Sequence, residues 1–271
     1  MIYGRLKQKL LAQEVLHADE TTLQVLKEPD RPAKSQSYMW LYRTGCIGPP
    51  IVFFEYQPSR AGDNPRRFLE GFKGYLHVDG YAGYHDIPNT TLCGCWAHFR
   101  RKFDEALKGL PSKHRSSGSK AKEALDRINK LFDIERQLSG RTPAERLEAR
   151  NLRSRPLVEE FRRWLDAIAP SVLPKSLFGL AVNYGRQQWP KLMRFLDDGR
   201  IEISNNRAER SIKPFVIGRK NWLFANTPKG ALASAVIYSI IETALCRMRH
   251  RAVHAESRTM PSGFLSIQSA L

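Results

Sequence analysis

A chain of 271 residues can hold one or two domains and a sizeable core, and its 42% hydrophobic and 26% charged content is that of an ordinary folded protein. No run of 18 or more apolar residues occurs, so no membrane span is expected, and the start, MIYGRLKQKLLAQEVL, lacks the apolar core and cleavage site of a signal peptide. The charge is unusual: 44 Lys and Arg against 27 Asp and Glu give +17, which points to a polyanionic partner, nucleic acid first.

The first hundred residues read as strands with turn punctuation. Val15 to Val25 is rich in β-branched residues, Ser37 to Thr44 is aromatic, and Ile51 to Tyr56 is a third apolar run, so an antiparallel meander is expected. Pro65 to Phe72 suits a short helix with proline in its first turn. Gly74 to Asp79 and Thr91 to Cys95 read as a fourth and fifth strand, with a short helix between them near Tyr81 to Ile87. This order implies an α/β fold with a mixed sheet flanked by helices, and five strands in the order 3-2-1-4-5 are expected.

From about residue 100 the pattern turns helical and basic. Thr142-Pro143-Ala144-Glu145 is a capping box, and the helix it opens carries Leu157, Phe161, Trp164, Leu165 and Ile168 on one side. Two further helices are expected at Leu177 to Gly185 and Pro190 to Leu196. Ser204-Asn205-Asn206 supplies N-cap residues for a helix holding Glu209, which Pro214 should break or bend. Gly218 to Phe224 is a basic-aromatic segment, and Ala231 to Leu245 reads as an apolar core helix. Of the four cysteines, Cys93 and Cys95 are too few for a zinc site without distant partners.

Asp19 lies in or just after the first strand and Asp79 ends the fourth. If those strands pair, the two carboxylates meet, and they repel unless a cation sits between them. Mg²⁺ takes carboxylate oxygens and keeps positions open for phosphates. Asp residues at strand ends are more often turn formers, so the pair alone is a weak signal.

The strings HADETTLQVL, YMWLYRTG, VFFEYQPSRAGDNPRRFLEGFKGYLHVDGYAGY, CGCWAHFRRKF, LAVNYGRQQWPKLMRFLDDGRIEISNNRAERSIKPFVIGRKNWLFAN and SIIETA add much more. Over residues 5 to 244 the chain resembles the insertion sequence 66 family of transposases, within the DDE, ribonuclease-H-like superfamily. The resemblance implies a ribonuclease-H-like sheet with a helical insertion before the last catalytic helix. Residues 1–103 and 197–245 would form the catalytic core, residues 104–196 the insertion, and residues 246–271 an atypical, unpacked tail. It implies DNA cleavage and strand transfer at transposon ends and target, with two Mg²⁺ or Mn²⁺ ions, in a cytoplasmic, nucleoid-associated bacterial protein that oligomerises on DNA. Asp19 and Asp79 correspond to the two catalytic aspartates. Glu209 is assigned as the third metal ligand, with Glu202 and Glu242 as rivals.

Cys95-Trp96-Ala97-His98 looks like the Cys-x-x-His string that follows the second aspartate in related transposases. His98 either contacts DNA or steadies the site, or is an ordinary core histidine. Arg100, Arg101, Arg210, Arg219 and Lys220 are the expected phosphate contacts, and Trp222 either stacks on a base or belongs to the core. The match stops near Leu245 and the front is short for the family, so a truncated copy is expected. The competing reading is a non-catalytic DNA-binding remnant or regulator of an intact element.

Overall fold

The structure is a computed structural model that describes residues 2–112, 115 and 118–259. A helix, α1 (Ile2–Leu11), precedes three strands, β1 (Val15–Gln24), β2 (Gln36–Thr44) and β3 (Val52–Gln57). Then come α2 (Asp63–Phe68), β4 (Gly74–His77), a single 3₁₀ turn at Ala82–Tyr84 and β5 (Thr90–Cys93). The remaining helices are α3 (Trp96–Lys108), α4 (Lys120–Gln137), α5 (Pro143–Ala149), α6 (Arg155–Ile168), α7 (Leu177–Leu192), α8 (Asn206–Trp222) and α9 (Pro228–Thr259).

The five strands form one sheet in the order β3-β2-β1-β4-β5. The β1–β2 and β2–β3 pairs are antiparallel, while β4 runs parallel to both β1 and β5. This is the expected order, with helices on both faces. Strand alternation decides what faces where. Leu16 and Ala18 of β1, with Trp40, Tyr42 and Phe53, pack beneath α1 and α2 in one buried cluster. Leu23, Met39, Leu41, Val52 and Phe54 point the other way, against Ala208, Ile212 and Phe215 of α8 and Ala231 and Ala235 of α9. His17 and Asp19 therefore share the α8 side.

The edge strand β3 is covered by α9. Small residues recur there every four positions, at Ala231, Ala235, Ser239 and Thr243, so the helix approaches the strand closely. The outward Val52 and Phe54 amides, which no strand receives, donate to the Thr243 hydroxyl at 3.0 Å and the Ser239 hydroxyl at 2.8 Å. An edge strand open to further pairing is thereby closed. By length and mean hydropathy (1.4) the stretch 228–252 passes for a membrane-crossing helix, which the sequence gives no reason to expect. Its hydroxyl bonds to β3 are those of a sheet-covering helix.

Four local expectations are corrected. The α1 helix stands where no element is expected, its Leu6 and Leu10 buried under the sheet. The two helices expected within 177–196 are one, continuous through Pro190 and followed by a 3₁₀ turn at Met193–Leu196. Likewise α8 passes through Pro214 and ends only at Trp222, where Leu223 takes a left-handed φ of 64°. The expected unpacked tail is helical as far as Thr259: nothing in Cys246 to Thr259 breaks a helix, Cys246 packs on the core, and Arg247 donates to the Pro50 carbonyl. The remainder of that tail lies outside the described residues.

The helices α3, α4, α6 and α7 enclose a separate aromatic-rich cluster around Trp96, Phe99, Phe103 and Phe161. The capping box at Thr142 and Glu145 is present, with Pro143 in the first turn. A π-type turn at Arg150–Ser154 joins α5 to α6, so the expected single helix is interrupted. Fully buried Arg150 makes paired bonds to Glu135 of α4, at 2.7 and 2.6 Å, and donates to the carbonyls of Phe195 and Asp198. Losing one partner of such a buried pair strands the other charge.

The double substitution Ser239→Ala, Thr243→Val removes both hydroxyls on β3 with little change in volume. About 1–3 kcal/mol of stability should be lost per orphaned amide, read from urea unfolding. Unchanged stability would show that the edge is closed by packing alone.

Candidate functional site

The parallel register of β1 and β4 pairs Val15 with Tyr75, Leu16 with Leu76 and His17 with His77. The two imidazoles stack, with ring centroids 4.9 Å apart and planes 1° from parallel. Asp19, in the middle of β1, and Asp79, two residues past the end of β4, follow these histidines at the same two-residue spacing, and the Asp79 charge acts on Asp19. Both histidines are buried, so the aspartates sit at the mouth of the layer that the histidines fill.

Asn205 fixes α8 over that layer. Its amide nitrogen donates to the Ala18 carbonyl at 2.8 Å, so its oxygen is free to accept from His17 Nδ1 at 2.9 Å. Its backbone N–H donates to Cys95 Sγ at 3.1 Å. One asparagine therefore links β1, the N-terminus of α8 and the turn that opens α3. His77 Nε2 lies 2.9 Å from the Glu202 carbonyl, which can only accept, so that nitrogen carries the proton. Burial, with His17 alongside, pushes the His77 pKa down to about 3, and the ring is neutral.

Glu202, one of the rivals for the third carboxylate, belongs to this support. Burial alone would raise its pKa, but His17 and Arg207 overcome that and hold it far below the usual range. Its carboxylate lies 3.1 Å from His17 Nε2 and 2.9 Å from an Arg207 nitrogen. Arg207 shares the region with Arg43 of β2, which bonds the Ser211 hydroxyl of α8 at 2.5 Å. Glu242 lies on α9, the helix that covers β3 at the edge of the sheet.

Glu209 occupies the first turn of α8, where the helix dipole favours a negative charge. Its charge and that of Asp79 both act on Asp19. Burial is the largest cause, Glu20 next, and together these push the Asp19 carboxyl up to about 8. Asp19 keeps some contact with solvent but is surrounded closely enough that its ionised form is disfavoured. Its Oδ1 accepts from the Glu20 backbone N–H, and an Asp79 oxygen accepts from the Tyr81 N–H. Gly80 follows because a Cβ there would stand 2.9 Å from the ring of Tyr184 on α7. Glu20 itself turns to the opposite face, where it is held by Arg60 and Tyr84.

His98, on the first turn of α3, places Nδ1 3.7 Å from Glu209 Oε1, too far for a hydrogen bond; both atoms are buried and without a partner. Arg101 reaches the other Glu209 oxygen at 3.5 Å. Cys95, His98 and Glu209 form the one cluster of metal-ligand types, among the described residues, whose atoms all lie within 4.8 Å of one another. The sequence offers only Cys95 and His98 for such a set. Burial lifts the Cys95 thiol to about 11, and its sulfur already accepts the Asn205 N–H, so it is a thiol at neutral pH and a poor ligand.

The expected DNA contacts separate into two groups. Arg100, Arg101 and Arg210 line one groove with Glu209. Arg219 is engaged inside the fold: its guanidinium bonds Thr21 and Thr22 of β1. Trp222 packs on the core beside Phe215, with ring centroids 5.4 Å apart. Lys220 is exposed near the end of α8, on a different part of the helix from Glu209. Sequence reasoning missed Asn205 and the histidine pair as site residues, although His17 and His77 each stand two before an aspartate, a spacing that puts them on the same side of a strand.

A family profile described as "Transposase IS66 family" matches residues 1–233. The chain belongs to this family. Two uncharacterized proteins of Sinorhizobium fredii (strain NBRC 101917 / NGR234) are similar to it. Protein y4hP is 31% identical over 91% of this chain and 47% of its own length, and y4qI is 33% identical over 92% and 47%. The chain spans about half the length of the curated relatives it matches. No solved structure matches it.

Two measurements check the site. Asn205→Ala should cost about 1–3 kcal/mol for each of the two groups it orphans, His17 Nδ1 and the Ala18 carbonyl; a loss within 0.5 kcal/mol, the scale of a surface change, would deny it this role. Asp19 has a folded pKa near 8 against an ordinary value of 3.8. Without divalent ions, its contribution to stability is fully present below pH 4 and is lost as pH rises towards 8. Asp19→Asn should flatten that part of the profile; an identical slope in parent and variant would contradict the assignment.

Proposed function

We propose that this transposase-family chain carries a ribonuclease-H-like DDE centre in which Asp19, Asp79 and Glu209 hold two Mg²⁺ or Mn²⁺ ions for DNA cleavage and strand transfer. What supports the reading is the β1–β4 register, from which Asp19 and Asp79 follow at the same spacing after the paired histidines, together with the Asp79 and Glu209 charges, both of which disfavour ionisation of Asp19. Three acidic groups whose charges interact, one of them already pushed to about 8, fit a cation-binding set. The partnerless Glu209 Oε1 fits it too. Hard carboxylate oxygens suit Mg²⁺ or Mn²⁺ better than a soft metal.

Bound divalent metal would supply Lewis-acid stabilisation of charge at the phosphorus and a more acidic nucleophile. The chain's own groups do the rest. Asp19 offers oxygens from within β1 and Asp79 from just beyond the end of β4. Glu209 turns from His98 and Arg101 towards the aspartates, a side-chain movement with no rearrangement of α8. His98 and Arg101, relieved of Glu209, are then available to a phosphate oxygen. The His17–His77–Asn205 layer keeps strands and helix in register and takes no part in proton transfer, since His77 is neutral and enclosed.

The test is metal-dependent cleavage of duplex DNA carrying the element's ends, with thermal unfolding in parallel. Mg²⁺ or Mn²⁺ should raise the midpoint of the parent, because a ligand that binds only the folded state stabilises it. Asp19→Asn, Asp79→Asn and Glu209→Gln should each abolish both cleavage and the metal-induced shift while DNA binding persists. If Glu209→Gln cuts like the parent and Glu202→Gln does not, the third ligand is misassigned. Binding of DNA without cleavage by the parent, at any divalent ion, would favour a non-catalytic DNA-binding role.

A further inference from the structure

Between the helical block and α8 runs a groove that the site does not explain. Its first part, about 730 Å³, is lined by Glu209 and by Arg100 and Arg101 of α3. Its second part, about 810 Å³, continues to the turn between α4 and α5 and to Cys46. Phe132, Arg136, Asn206 and Arg210 line both, so the two are one continuous channel.

Helix periodicity makes the two walls. On α4, Asn129, Phe132 and Arg136 are spaced three and four apart and share one face. On α8, Asn206, Arg210 and Lys213 are spaced four and three apart and share another. The first part carries Arg100, Arg101, Arg136, Arg210 and Lys213 against Asp104 and Glu209, five cations to two carboxylates. In the second, Glu135 and Glu202 are already paired with Arg150 and Arg207. Arg210 is exposed, as is Lys213, and neither makes a hydrogen bond or ion pair among the described residues. Phe132 is half-buried: its inner edge packs on the helical core while its outer edge is part of the channel.

We infer that this channel seats a single-stranded DNA segment leading to the carboxylates, with Arg136, Arg210 and Lys213 on its phosphates and Phe132 stacked on one unpaired base. The inference rests on DNA being the substrate of the Asp19–Asp79–Glu209 centre. Cationic walls track a backbone without reading sequence, and an aromatic between them accepts any base. The helical block thus supplies one wall of the substrate path. Its position is set by Arg150, which bonds Glu135 one residue before Arg136, and by Arg100, whose Nε donates to Asn129 at 2.8 Å.

The experiment is fluorescence anisotropy of the full chain with a single-stranded DNA oligonucleotide in EDTA, across a salt series. Arg136→Ala and Lys213→Ala should each weaken binding and lower the salt slope by about one. Arg163→Ala, an exposed cation on α6 outside both parts of the channel, is the control. An oligonucleotide series with one abasic position should reveal a site where losing the base costs the parent about tenfold. That penalty should vanish in Phe132→Leu and survive in Phe132→Tyr, with both variants unfolding at the parent's temperature. Arg136→Ala and Lys213→Ala variants that behave like the control would overturn the proposal, as would an abasic penalty unchanged in Phe132→Leu. Tighter binding of RNA of the same sequence, or no binding of single strands, would also overturn it. Because EDTA removes the chemistry, the two readings fail separately. A chain that binds this way but never cuts loses the catalytic assignment and keeps the channel. One that cuts with unaltered groove variants loses the channel alone.

Discussion

Everything at this site depends on a polar layer buried between the sheet and α8. Two imidazoles, an asparagine and a glutamate–arginine pair occupy positions that an ordinary α/β core would give to leucine and valine. Burying them costs free energy unless each group finds a partner. Most do: His17 has Asn205, His77 has the Glu202 carbonyl, and Glu202 has Arg207. Such a layer admits few alternative packings, because sliding α8 along the sheet orphans several buried groups at once. An apolar contact would allow such a slide at little cost. The layer therefore sets where Glu209 stands relative to β1 and β4.

The same layer separates two electrostatic regimes. Below the aspartates, negative charge is matched internally, with Glu202 held ionised by His17 and Arg207. Around Asp19, burial and the neighbouring acidic groups dominate, and its carboxyl is driven towards its protonated form. Arg101 and His98 approach Glu209 from one side only, at 3.5 and 3.7 Å. The fold thus gathers interacting acidic groups beside a groove lined by arginines. On the proposed reading, a phosphodiester alone would be repelled by the one and attracted by the other, and a divalent ion would make the two compatible.

How much of this is legible in sequence follows from which forces are local. The strands carry their own signals, aromatic and β-branched runs between turns, and the short loops among the first three point to their antiparallel meander. Asp79 stands out because the end of a strand is a local feature, whereas Asp19 lies inside β1. The path of α8 is less legible, since Pro214 argues for a break and the packing of Phe215 and Ile212 on the sheet overrides it. Arg219 and Trp222 read as nucleic-acid contacts because clustered arginine, lysine and tryptophan have the same composition whether they face solvent or the core. Only the meeting of α8 with Thr21 and Thr22 gives Arg219 an internal role. Arg150 is invisible for the same reason: its partners Glu135, Phe195 and Asp198 are scattered along the chain, and nothing near it marks it as buried.

The helical block can be weighed in the same terms. It shares few contacts with the sheet proper, yet it is anchored at the site: Trp96 donates to the Leu192 carbonyl, its backbone N–H bonds Ile203, and Gly94 bonds Lys191. These bonds join the start of α3 to the end of α7 and to the segment leading into α8. The block is thus a closed loop whose two ends meet beside Cys95. A helical block needed only for solubility or bulk could hang from the sheet on a flexible hinge. This one returns to its starting point and is held there by buried backbone hydrogen bonds. It also presents Phe132 and Arg136 across the channel from Arg210. Rigid return of the chain is what a wall of a substrate path requires, because a phosphate contact a few ångströms out of place contributes little.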